Sequence, residues 1–174
     1  MKVSPSASPE TYGSILTFEG YLTTQYEEAV VALNAISTVV NDGFFAMRKR
    51  TPGIYLDRLI EDGSLSLSTK IDMKRSFVNS SPAEKVPETD KVNILPVEVE
   101  VSNEELFCLY HALWVYASST KIDASRSANG SPKAATFRIV EGGIAEKMTE
   151  TLKAVHPKLA ILETPQHAQF GLVR

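Results

Sequence analysis

The stretch that most constrains this chain is a helix-period run that is apolar almost all the way round. It opens at Ser102-Asn103-Glu104-Glu105 and continues to Ser118. Ser102 and Glu105 have capping-box spacing: the serine hydroxyl can accept from the Glu105 amide while the carboxylate answers the Ser102 amide. At helical spacing, Leu106, Leu109, Leu113, Tyr116 and Ala117 form one apolar face, and Phe107, Cys108, Trp114 and Val115 form a second. Only Glu104, His111 and Ser118 share a polar seam. A helix with so little polar surface must be covered by the rest of the chain or by a partner. Trp114 is therefore expected in the core; exposed, it would be a candidate anchor for a partner, tryptophan being enriched at binding hot spots.

Two further stretches carry a helical stripe. Thr24 to Asn41 has Tyr26, Ala29, Leu33, Ile36 and Val40 on one face, a Thr24/Glu27 capping-box spacing and an Asp42-Gly43 stop. Its back also carries Val31, Ala32, Ala35 and Val39. Pro132 to Val155 keeps Phe137, Val140, Ile144, Met148, Thr151, Leu152 and Val155 at helical spacing, with Ser131 as cap and Pro132 in the first turn. Gly142-Gly143 interrupts it at a cost of about 2 kcal/mol. The rival reading is a strand over 136–140, a glycine turn, a helix and a strand over 159–162, which would make a βαβ unit.

Strand signals are shorter. Val92 to Val101 alternates, with Val97, Val99 and Val101 on one side and Glu98 and Glu100 on the other. Pro96 lacks an amide and confines that part to an edge or bulge. Tyr12 to Leu22 alternates weakly and fits a strand or a short helix. Thr51-Pro52 is expected to open a short helix through Ile60 that stops at Asp62-Gly63. Ser64 to Ser68 then alternates like a strand, with 71–78 as its continuation or partner. Ser118 to Ser131 reads as a serine-rich loop, 79–91 as a polar loop, 159–162 as a short strand, 1–9 as a flexible Ser/Pro tail, and 10–174 as one globular domain. The expected fold is a mainly α-helical α+β domain, with principal helices near 24–41, 103–118 and 133–155 and a small antiparallel sheet; the alternative is α/β with the C-terminal βαβ unit.

The chain has 174 residues, of which 43% are hydrophobic and 22% charged, enough for one domain with its own core. A net charge of −3 argues against a dedicated nucleic-acid binder, whose affinity comes from neutralised phosphates. A single cysteine allows no intrachain disulfide. Met1 to Pro9 lacks the apolar segment of a secretory signal, and the longest apolar run is too short for a membrane span, so a cytoplasmic protein without membrane attachment is expected.

Candidate chemistry is sparse. Glu104, Cys108 and His111 lie near one helical face, but no paired Cys or His motif accompanies them as zinc sites require. Gly142-Gly143 before a helix could hold an anion, yet neither GxGxxG nor GxxxxGK[ST] is present. No catalytic residue, cofactor site or metal site is assigned. Arg48-Lys49-Arg50, preceded by Phe44-Phe45, is the densest basic patch and the one place suited to nucleic acid or another anion. The expected function is a non-enzymatic interaction, regulatory or structural protein, self-associating through Val31, Ala35, Val39 and Trp114. A small enzyme without a recognisable motif, or a nucleic-acid accessory factor using Arg48–Arg50, is the alternative.

Overall fold

The valines and glutamates of 97–101 separate as their alternation predicts: Val97, Val99 and Val101 are buried, and Glu98 and Glu100 face solvent. The structure is a computed structural model that describes residues 1–7, 13–19, 27–40, 54–80, 96–127 and 132–163, with side chains described over part of each long helix. Within these residues run β1 (Lys2–Pro5), β2 (Ser14–Phe18), α1 (Glu28–Thr38), α2 (Ile54–Ser80), β3 (Val97–Val101), α3 (Asn103–Ser127), α4 (Pro132–Val155) and a terminal 3₁₀ helix (Pro157–Glu163). The protein is a mainly helical α+β fold with one small antiparallel sheet.

The sheet order is β1-β2-β3. Leu16 pairs with Val3 on one side and Val99 on the other, and Ile15 with Ser4 and Glu100. This register puts Leu16, Phe18 and the three valines on the inner face, all buried. β3 is an edge strand in this order, and α2 packs along it. Lys70 on α2 reaches the Glu100 carbonyl at 3.2 Å, so helix and lysine together cover a sheet edge that would otherwise invite pairing.

α3 is the axis of the bundle. It packs on α1, α2, α4, β3 and the 3₁₀ helix. Its capping box forms as expected: Glu105 N donates to Ser102 Oγ at 3.1 Å, and Ser102 N to Glu105 Oε2 at 2.9 Å. Leu106, Leu109, Leu113, Tyr116 and Ala117 are all buried. The helix continues to Ser127, into the serine-rich segment 118–131 expected to be a loop, whose residues 128–131 lie outside the described residues. Within that segment Ser118, Ser119 and Thr120 donate to carbonyls three or four residues back, so their hydroxyls ride on the helix instead of breaking it.

Four other expectations are corrected. Residues 54–80 form one helix where a helix, a stop and a strand were expected. Leu67 and Ile71 are fully buried at helical spacing, while Leu65, which a strand would put beside Leu67, is 49% exposed. Gly63 does not end a helix; it lets α2 cross α3 closely, since a Cβ there would lie 2.7 Å from Cys108 Sγ. Residues 2–5, read as part of a tail, pair with β2, and the Met1 ammonium meets Glu28 Oε1 at 2.5 Å in a buried site. Residues 157–163 form a 3₁₀ helix in place of a strand, Pro157 having ended α4. Finally α1 begins at Glu28, with Glu27 as its cap residue rather than the answering acid of Thr24, which lies outside the described residues.

α4 settles the largest ambiguity. It is helical from Pro132 to Val155 through both glycines, and residues 136–140 are not a strand. Gly142 faces α3, where a Cβ would lie 2.2 Å from Thr120 Oγ1. Close helix packing is why the chain tolerates a poor helix former there. Of the polar loop expected at 79–91, residues 79 and 80 instead close α2, and 81–91 lie outside the described residues.

Candidate interaction surface

The residues expected to form an interface are mostly inside the chain. Val31 and Ala35 are fully buried and Val39 is 5% exposed, because α1 is packed by α2, α3 and α4 on different sides. The back of α1, expected to be a self-association surface, is therefore covered within the chain. Trp114, expected in the core, is only half-buried, as are Phe107 and Val115 on the same side of α3. Arg48, Lys49 and Arg50 lie outside the described residues. Glu104 is exposed while Cys108 and His111 are buried, and among the described residues no group of three such side chains could hold a metal ion.

The polar groups behind the α2–β3 seam are engaged with one another. Glu105 accepts from Lys70 Nζ and from Ser66 Oγ, each at 2.7 Å, in addition to its capping bond. Burial pushes its carboxyl up, but the bonds from Lys70, Ser66 and the Ser102 amide outweigh burial and leave it below the ordinary value. Beside them an open trough of about 410 Å³ lies between α2 and the outer face of the sheet, with Ile15 and Met73 against Lys74, Glu98 and Glu100. Its charges are of both signs, and Lys70 is already held by Glu105. Nothing in that mixture selects a ligand.

Two further groups could suggest chemistry. Ser14 Oγ lies 3.2 Å from His156 Nε2, the distance of a nucleophile and its base. Ser14 is 2% exposed on the inner face of β2, so the pair ties the end of α4 to the sheet and offers no open hydroxyl. Cys108 is 1% exposed. Burial pushes its thiol up to about 11, more than the neighbouring Ser64 hydroxyl pulls it down, and a neutral thiol is a poor nucleophile.

The surface that stands out is on α4. Its inward face is built from Glu141, Ala145, Met148, Thr149 and Leu152, all buried, with Glu141 accepting from Asn34 on α1 at 2.7 Å. Its outward face changes character along its length. After Gly143 it carries Glu146, Lys147 and Glu150, with Ala154 and Val155 exposed at its end; before it come Thr136, Ile139 and Val140. Ile139 is 62% and Val140 40% exposed, and they share that face with Gly143, which is also exposed. The sequence shows Val140 on a helical stripe, but the phase of that stripe comes only from the packing at Gly142.

No family model matches this chain, and neither the curated proteins nor the solved structures contain a match to it. Among the described residues no helix is long and apolar enough to cross a membrane.

Proposed function

We propose that this chain is a non-enzymatic interaction protein that holds a protein partner on the outward face of α4. The observation that carries the reading is the adjacent pair Ile139 and Val140, 62% and 40% exposed, on one face of the helix. Single exposed aliphatics are ordinary; neighbouring ones on one helical face are what interfaces use. The function favoured from sequence is thus kept, but its surface moves from α1 to α4, and the partner becomes a different protein. Nothing among the described residues favours turnover: Cys108, Ser14 and Glu105 are each buried and engaged within the fold.

Ile139→Lys tests the reading. Lysine is a good helix former at an exposed site, so the free chain should keep its stability to within about 0.5 kcal/mol. Purified from its source cells, the variant should lose at least tenfold of whatever associates specifically with the unaltered chain. Undiminished association, or none with either form, would sink the proposal.

A further inference from the structure

The start of β1 is held by a charge that belongs to no side chain. Met1 is part of the hydrophobic core cluster, and its ammonium lies 2.5 Å from Glu28 Oε1 in a buried contact. Glu28 is itself buried, and its other oxygen accepts from the Glu19 amide at 2.7 Å. The Glu28 amide donates in turn to the Glu19 carbonyl at 3.3 Å. One residue at the head of α1 therefore grips both the beginning of β1 and the end of β2. The preceding Glu27, also buried, takes Arg75 of α2 at 3.1 Å. Two neighbouring buried carboxylates each meet a cation from another element, and one of those cations is an α-amine. β1 depends on that contact: it is four residues long, closes with Pro5, which brings no amide, and lies at the end of the sheet order beside β2.

We infer that the Met1 amine is a modification-sensitive anchor, and that acylation of its nitrogen releases β1 from α1 and uncovers the edge of β2. An ammonium and an acyl thioester give a neutral amide, a thiol and a proton, so the cation facing Glu28 is abolished. The amide N–H can still donate a hydrogen bond, but without its charge, and the acyl group must enter a buried contact. Glu28 then keeps a buried negative charge against the Glu19 amide. Removing one partner of a buried ion pair is strongly destabilising because the other charge stays behind, uncompensated. The strain is relieved when β1 leaves and water reaches the carboxylate. Departure of β1 opens the Ser14–Phe18 edge, with Leu16 and Phe18 beside it, as a template for another strand. The acyl group is added before β1 docks or while it is lifted, since the contact is closed in the folded chain.

The test compares the full chain with a free or an acetylated Met1, each in the unaltered form and as Glu28→Gln. Acetylated chains come from co-expression with an N-terminal acetyltransferase, and intact mass confirms each form. The acetylated unaltered chain should melt at least about 5 °C below the free one. Its amides over residues 14–18 should exchange with solvent at least about tenfold faster, the mark of a released β1. With Glu28→Gln the carboxylate is already gone, and acetylation should lower the melting temperature by less than about 2 °C. If the acetylated unaltered chain does not fold at all, an acetylated Glu28→Gln chain that does fold supports the same conclusion. An acetylated chain that melts and exchanges like the free one overturns the proposal. So does an equal loss, or a failure to fold, in both backgrounds, because crowding and not the charge pair would then be its cause.

Discussion

Glu105 shows how much a single side chain can hold together. Its carboxylate caps α3, takes a hydrogen bond from Ser66, and binds the Lys70 ammonium that also covers the Glu100 carbonyl. Removing it leaves several donors without an acceptor, so Glu105→Ala should cost about 2–3 kcal/mol in urea melts, the sum of a lost cap and unmade hydrogen bonds. The pH dependence has a definite sign. Glu105 titrates lower in the folded chain than in the unfolded one, so its contribution is present above the unfolded carboxyl value and is lost as pH falls through the folded one. Glu105→Gln should flatten the acid side of the stability curve below about pH 4.5 and leave the neutral side parallel; an unchanged acid limb would contradict the role. The two adjacent glycines of α4 make a second test. Gly142→Ala drives a methyl into Thr120, whose hydroxyl is fixed on the Tyr116 carbonyl, and overpacking outweighs the gain in helix propensity. A net loss of about 1–2 kcal/mol is expected. Gly143→Ala meets open space and should gain about 0.5–1 kcal/mol. Equal effects at the two sites would mean that the phase of α4 is wrong.

At the scale of elements, α2 is the sharpest lesson. Its alternating Ser-Leu-Ser-Leu-Ser and its Asp62-Gly63 both read as a helix stop followed by a strand, because short-range signals carry no information about what crosses overhead. The crossing decides. Gly63 sits over Cys108, and Leu67 and Ile71 fill the space between α2 and its neighbours. β3 and the start of α3 were legible because their signals are local: a period-two alternation and a reciprocal cap between residues three apart. The Val31 face misled for the opposite reason, since which helix covers a stripe is a property of the assembled bundle. The glycine crossing can be tested as a cycle. Gly63→Ala alone should destabilise, its Cβ 2.7 Å from the sulfur. In a Cys108→Ala background the obstruction is gone, and the same change should become neutral or stabilising by up to about 1 kcal/mol. Additive single and double variants would separate the two residues.

At the scale of the whole molecule, the buried apolar residues form one cluster from the sheet's inner face through the four described α-helices, so access to its interior reports on opening of the fold. Cys108 gives that access a chemical readout. It is the chain's one cysteine, 1% exposed, beneath the α2 crossing on the central helix. Two effects protect it: a disulfide reagent must wait for α2 to lift or for the chain to unfold, and the folded thiol stays neutral until about pH 11 against an ordinary 9.0. At pH 8 the native chain should therefore react at least about 10³-fold more slowly than the unfolded chain, as a domain of ordinary stability requires of a site in its core. The alkaline sign follows from the same shift. Below pH 9 both states hold the proton and folding is indifferent to it; as pH rises towards 11 the unfolded thiol ionises and the folded one resists, so stability falls. Cys108→Ala should remove that part of the alkaline slope. If the thiol of the native chain instead reacts within tenfold of the unfolded rate, α2 does not close over α3, and the crossing at Gly63 is not a fixed part of the fold.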